Sequence, residues 1–332
     1  MKKIVRLFTT IILASFLTLA SCISARSPTQ KVALSSWPSY GKNSGFYLAM
    51  DRGYFSDNLV SFKLIDSFQD ALLPLKTGEA EVAQVLCSEA LTAIDQGARY
   101  HIIAIRDAIF PVGTISLPTS GIKSPSDYEG KIWGHSETFS PEKAILPALA
   151  KKTGFDPKTV RLIHIEFPAR LPALLKGEVD FISAWWGSGY PPQLIAAYKQ
   201  NVELNFIRWS DYGIDIYGEC LVARNEWLET SPSTVRAFLT AATKGFEQAI
   251  ADPDAAVKAV IAQNPNQAGQ EEVIRLAWKQ SQDLIYDEHT RNHGMFWIDK
   301  EKLSRTRSLI LGEKLEKPIE TTYLNDFIPQ NK

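Results

Sequence analysis

The sequence predicts an α/β protein of two lobes, each a sheet flanked by helices, with a cleft between them. Short apolar runs alternate with amphipathic stretches, the pattern of parallel strands crossed by helices. The alternation starts afresh near Gly121. One phrase also occurs twice: "PLKTGEAEVAQVLCSEA" (Pro74–Ala90) and "LLKGEVDFISAWWGSGYPP" (Leu174–Pro192) share an apolar helix end, Lys, Gly, Glu, an acid, an apolar strand and then a break. Two copies of one grammar imply two similar half-structures.

The first segment stands outside the fold. "MKKIVRLFTTIILASFLTLASC" places Lys2, Lys3 and Arg6 ahead of an apolar run of export-signal length. Leu19-Ala20-Ser21-Cys22 has the form of a lipobox, so residues 1–21 are expected to be a lipoprotein signal peptide, Cys22 the lipidated first mature residue, and 22–30 a tether. Lipid on Cys22 would hold the protein at a bacterial membrane surface, outside the cytoplasm and without a spanning helix. Removing the three leader cations takes the net charge from -1 to -4, which disfavours nucleic acid as a partner. The 45 % hydrophobic and 22 % charged residues are those of a globular chain. Of the three cysteines, Cys87 and Cys220 remain, too few for a cysteine metal cage; they are read as two small buried thiols, and whether they meet is left open.

Along the mature chain, "KVALSSW" is a strand, "NSGFYLAMDRGYF" a helix opening near Ser44, and "VSFKLI" a strand. A helix around "SFQDALLPLKTG", the strand "EVAQVL", the helix "CSEALTAIDQG" and the strand "YHIIAIR" complete one unit. "SPSDYEGKIWG", "SPEKAILPALAKKTG", "VRLIHIE" and "RLPALLKGEVDFISAW" build a second from strands and helices. The strand "ECLVARNEWL" and a long helical tail follow. The tail has no strand set of its own. The chain is therefore expected to leave the first lobe near Phe110–Ser116 and return near Gly213–Gly218, giving lobe 1 as 31–112 plus 218–332 and lobe 2 as 113–217. Two crossings make a hinge, with the ligand in the cleft.

Ligands of open α/β sheets lie beyond the carboxyl ends of the strands. Trp185, Trp186 and Tyr190 follow "DFISA", Trp37 and Tyr40 follow "VALSS", and Ser88 follows "VAQVL". These rings could clamp a flat solute, although one of the paired tryptophans is expected in the core, since consecutive strand residues face opposite ways. His135, Ser136 and Thr138 precede a helix capped by Ser140-Pro141, whose N-terminal N–H groups could hold a carbonyl or an anion. Asp211, Asp215 and Tyr217 lie toward the return crossing; an acid there could accept hydrogen bonds or cap a turn. Arg106 could meet an anion or pair with Asp107.

Together, "GFYLAMDRGYF", "LKTGEAEVAQV", "SGIKSPSDYEGKIWG", "LPALLKGEVDFISAWW" and "DYGIDIYGECLVARNEWLETSPSTVRAFLTAATKG" resemble the solute-binding proteins of ABC importers related to the thiamine-pyrimidine synthase. The resemblance covers nearly the whole mature chain. It implies a two-lobed periplasmic-binding fold, type II-like and without a cofactor, that closes on a small-molecule ligand as a monomer and docks on a permease with its ATPase. By position it places Trp37, Ser88, Trp185 and Tyr217 in the pocket. The pyrimidine-binding branch is expected to carry an acid shortly after the aromatic pair, where "WWGSGYPP" has glycine and serine. A planar heteroaromatic ligand, thiamine-pyrimidine or flavin-like, is expected; a sulfonate or nitrate is the alternative.

Three rivals are weighed. A hydrolase would use "GHSET" (Gly134–Thr138), which lacks the final glycine of a nucleophile elbow and has no evident acid and base. A synthase like the family's enzyme would need a cysteine-rich iron-binding segment, and His289 and His293 in "DEHTRNHG" lack the H-E-x-x-H pattern of a zinc site. A purely structural surface lipoprotein would need no aromatic cleft. No P-loop pattern occurs, so a receptor without catalytic residues or resident metal is expected, driven by its partner's ATPase.

Overall fold

The computed structural model describes residues 30–37, 40–58, 60–67, 70–135, 141–312 and 317–329. Cys22, Ser136 and Thr138 lie outside them. Two five-stranded sheets form. The first contains β1 (Gln30–Ser36), β2 (Val60–Asp66), β3 (Val82–Leu86), β4 (Tyr100–Ile105) and β10 (Glu219–Arg224), in the order β2-β1-β3-β10-β4. The second contains β5 (Val112–Ser116), β6 (Ile132–His135), β7 (Arg161–His164), β8 (Phe181–Trp185) and β9 (Asn205–Arg208), in the order β7-β6-β8-β5-β9. Each sheet is parallel except for one strand, β10 in the first and β5 in the second.

The helices follow from the sequence in a similar way. In the first lobe α1 (Ser44–Asp51), α2 (Tyr54–Asp57), α3 (Leu73–Thr77) and α4 (Cys87–Asp95) connect the strands. Gly53, at φ 72°, stops the first helix and starts the next, because a left-handed residue cannot continue either. α5 (Pro141–Thr153), α6 (Phe167–Leu175) and α7 (Tyr190–Tyr198) serve the second lobe. The tail supplies α8 (Asn225–Thr230), α9 (Pro232–Ala251), α10 (Pro253–Gln263), α11 (Glu271–Ile285), α12 (Glu288–His293) and α13 (Lys300–Leu311).

Most of the tail finishes the first lobe. α9 crosses α1 where two glycines meet: a Cβ on Gly45 would lie 2.3 Å from the Phe246 ring, and one on Gly245 would lie 2.4 Å from the Gly45 carbonyl. That close approach lets Phe46 stack against Phe62 and Phe238 and meet Phe246 edge-on, the centre of the larger core. The chain end runs beside β4, with Thr322 accepting from and Leu324 donating to Ile102, and so covers an open sheet edge.

Two expectations are corrected here. Val112–Ser116 is a strand of the second sheet, so the first crossing is the shorter segment 106–111. "ECLVARNEWL" is a strand only as far as Arg224; β10 runs out of partner at Tyr100, the start of β4, and Asn225 opens α8 while donating to the Arg99 carbonyl.

Candidate functional site: the facing carboxyl ends

The topology fixes where the lobes face. The first crossing runs from the carboxyl end of β4 to Val112, which pairs with Trp185 at the carboxyl end of β8. The return runs from the carboxyl end of β9 to Glu219, which pairs with Leu86 at the carboxyl end of β3. Both crossings therefore join carboxyl ends to carboxyl ends. They also touch: Gly218 N–H donates to the Asp107 carbonyl at 3.0 Å, and a Cβ on Gly218 would sit 2.6 Å from Pro111 Cδ.

A third tie comes from α11. Trp186 Nε1 donates to Asp283 Oδ2 at 3.0 Å, Gly187 N–H to Gln280 Oε1 at 3.2 Å, and Ser281 Oγ to the Gly187 carbonyl at 3.3 Å. α13 touches both lobes, through Arg307 with Asp95 of α4 at 2.6 Å and through Leu309 and Ile310 against the second lobe's core.

On the first lobe's face, Trp37 stands just beyond β1 with 54 % of its surface exposed. Tyr40 is half-buried, and its hydroxyl donates to Asp66 Oδ2 at the end of β2, 3.2 Å away. Ser88 is buried in the first turn of α4, where its carbonyl accepts from Thr92 Oγ1. Arg106 takes the second of its two expected roles: fully buried, it pairs with Asp107 at 3.0 Å and donates to the Lys42 carbonyl at 2.6 Å.

Arg106 belongs to a charge-balanced cluster at the ends of β4 and β10. Lys42 Nζ lies 2.6 Å from Asp107 Oδ2 and 2.9 Å from Glu219 Oε2, and Gln84 Nε2 donates to the same Glu219 oxygen at 2.8 Å. Burial pushes the Asp107 carboxyl up even though Lys42 and Arg106 oppose it. Burial raises Glu219 too, but the charge and hydrogen bond of Lys42, together with Arg106 and the Gln84 hydrogen bond, outweigh it and hold that carboxyl below its ordinary value.

On the second lobe's face, His135 ends β6, buried, with its ring 5.3 Å from that of Trp133. Trp185 ends β8, half-buried, and donates from Nε1 to Glu142 Oε1 at 3.3 Å, near the start of α5. Arg170 donates to the Ile165 and Ser183 carbonyls at 3.2 and 3.4 Å beneath the exposed ring of Phe167, 5.8 Å away. Burial lowers the Arg170 guanidinium's pKa, with Glu142 and Glu166 opposing.

The other candidates are placed elsewhere. Trp186 and Tyr190 are stacked on each other at 5.5 Å and against Phe206 at 5.0 and 4.6 Å. Both tryptophans of the pair are half-buried, Trp185 against one core cluster of the second lobe and Trp186, with the buried Tyr190, against the other. Asp211 is exposed and paired with Arg208 at 3.1 Å. Tyr217 is buried in the tail packing, its hydroxyl accepting from the Asp299 N–H at 2.8 Å. His289 meets Asp299 at 3.4 Å and His293 stacks on Trp297, and among the described residues no cluster of three or more His, Cys, Asp or Glu could hold a metal. Lys42, Glu142, Phe167 and Arg170 are additions of the structure. Only "EFPARLP", a capped helix start after a strand, hints at the last two.

Against known proteins, the sequence pattern described as NMT1/THI5 like matches residues 42–256. The chain belongs to the NMT1/THI5-like family. Within reach of that family, it is 22 % identical over 269 residues to a formylaminopyrimidine-binding protein of Halalkalibacterium halodurans, covering 75 % of this chain and 77 % of that one. It is 23 % identical over 329 residues to the riboflavin-binding protein RibY of Chloroflexus aurantiacus, covering 94 % and 90 %. The fold is that of periplasmic binding proteins: it superposes on the periplasmic sulfonate-binding protein SsuA from Methylobacillus flagellatus with a TM-score of 0.65 at 13 % identity, covering 91 % and 93 % of the two chains. An enzyme shares the architecture, the desulfurization enzyme DSZB, with a TM-score of 0.58 at 14 % identity over 90 % and 97 %. Fold alone therefore does not separate receptor from enzyme. Among the described residues, no helix is long and apolar enough to cross a membrane.

Proposed function

We propose that this NMT1/THI5-like protein is an extracytoplasmic receptor of an ABC importer that closes its two lobes on a small planar heteroaromatic solute. The observation that carries the reading is the exposed Trp37 ring at one set of carboxyl ends and the half-buried Trp185, with exposed Phe167, at the other. Rings contacting a flat ligand contribute about 0.5–1.5 kcal/mol each beyond area burial, so a few such contacts plus hydrogen bonds reach the roughly 8 kcal/mol of a micromolar complex. Tyr40, Ser88 and His135 are the polar candidates at those strand ends, and Ser136 and Thr138 are candidates from the sequence alone. The buried cations Lys42 and Arg106 are already neutralised, which disfavours a bare sulfonate or nitrate as the principal ligand.

The protein binds and releases its solute unchanged. Open and closed states differ by rotation about segments 106–111 and 209–218, and a ligand that touches both lobes only when they close shifts the population toward the closed state. That state is what the permease engages, with its own ATPase supplying the energy. Lipid on Cys22 keeps the receptor at the membrane surface.

Fluorescence titration of the dialysed protein with riboflavin, a formylaminopyrimidine and taurine tests the reading. Saturable quenching by a flat ring compound, with the compound recovered intact, is expected. A response to taurine alone would overturn the planar ligand, and conversion of the bound compound would overturn the receptor.

A further inference from the structure

Two thiols in the first lobe play no part in the proposed binding. Cys87 opens α4 directly after β3, and Cys220 is the second residue of β10, the antiparallel neighbour of β3. Cys220 pairs with Val85, and the Cys87 N–H donates to the Gly218 carbonyl at 2.9 Å, which carries the pairing one step past the end of β3. Alternate residues of a strand share a face, so Val85, Cys87 and Cys220 lie on the same side. The two cysteines are diagonal neighbours in one core, both at 0 % exposure. Burial pushes the Cys87 thiol well above its ordinary range, and the neighbouring Cys220 thiol acts in the same direction. Neither is a reactive surface nucleophile.

We propose that Cys87 and Cys220 are joined as a disulfide when the chain folds in an oxidising compartment, which fastens the return strand β10 to the start of α4. The proposal rests on the reading of the chain as exported. The oxidant is a disulfide-bearing thiol compound, RSSR. One cysteine thiolate attacks it and expels RS⁻, forming a mixed disulfide; the second thiolate attacks the cysteine sulfur of that bond and expels the other RS⁻. Two cysteine thiols are oxidised, one external disulfide is reduced, and their two protons end on the two RSH released. Exchange takes place while β10 is still settling against β3, because the finished core encloses both sulfurs. The bond closes a loop from residue 87 to residue 220 that contains the entire second sheet. Long loops are those in which a cross-link restricts the unfolded chain most.

The test uses the full mature chain, one sample refolded in a mixture of oxidised and reduced glutathione and one purified from the periplasm of a bacterial host. Each is denatured and treated with iodoacetamide, with and without prior reduction, and the label is located by peptide mass. Cys87 and Cys220 should stay unlabelled until reduced, and reduction should lower the unfolding midpoint by roughly 5–10 °C. Cys87→Ser and Cys220→Ala should each be indifferent to reductant, so either one suffices if the other folds poorly. Labelling of both thiols without reduction in both samples, with a midpoint that reductant does not move, would overturn the disulfide. A cross-link in glutathione but not in the periplasmic sample would also overturn the proposal, since the periplasm is oxidising, whereas failure of the chain's own leader to deliver it there would count against the export reading alone.

Discussion

At the scale of single residues, the two members of the tryptophan pair and Trp37 separate by what each ring touches. Trp37→Ala removes an exposed ring, so it should weaken ligand binding about tenfold in a fluorescence titration while leaving the unfolding midpoint nearly unchanged. Trp186→Ala should do the reverse, lowering the midpoint by several degrees, because its ring fills the stack with Tyr190 and Phe206 and its N–H holds Asp283. Glu89, in the first turn of α4, gives a pH dependence. Burial, with Glu219 and Asp70 nearby, pushes its carboxyl up to about 7. The folded chain then holds a proton that the unfolded chain releases, so stability falls as pH rises from the ordinary carboxylate range to about 7, by on the order of 3 kcal/mol, and is level above it. Glu89→Gln should come close to the wild type at pH 4, below the ordinary carboxylate value, and melt at a higher temperature at pH 8. Trp37 and Trp185 are legible as site candidates because large rings directly after apolar strands stand out. Lys42 is not: nothing in "SYGKNSG" marks a lysine as enclosed, since its burial depends on where β4 and β10 end.

At the scale of elements, the repeated phrase has a physical meaning in both lobes. After the glycine that ends each helix, at φ 82° for Gly78 and 71° for Gly177, the acid before the strand reaches the neighbouring strand's backbone. Glu81 Oε2 accepts from Ala33 N–H, and Asp180 Oδ2 accepts from Ile132 N–H, each at 2.7 Å. The same residues exchange a backbone bond in the other direction, Glu81 to Ala33 and Asp180 to Ile132. The acid thus sets strand register in each sheet. Asp180→Ala and Glu81→Ala should each cost about 1–3 kcal/mol in denaturant unfolding, by leaving a backbone donor without its acceptor. The repeat made the parallel strands readable, and "GFYLAM" and "TAATKG" foretold the helices whose glycines meet. β5 and β9 were not readable, since "VGTIS" and "NFIR" are four or five residues long and owe their strand character to each other across the sheet.

At the scale of the whole molecule, closure depends on how closely the crossings run. Gly218→Val would drive a side chain into Pro111 and Asp107, spreading the two segments. Small-angle scattering should show the wild type contracting on ligand binding and the variant failing to contract, with weaker binding in the same samples. The position of β10 has a further consequence. It fills the gap between β3 and β4, so the earlier half of the protein waits for residues 219–224, by which point every strand of the other half has been synthesised. Completion thus runs against the order of synthesis: the inserted half can mature alone, while the half that begins the chain is last to close. Pulse-labelled hydrogen exchange during refolding should protect the amides of Trp133 and Phe181 before those of Val82 and Ile102.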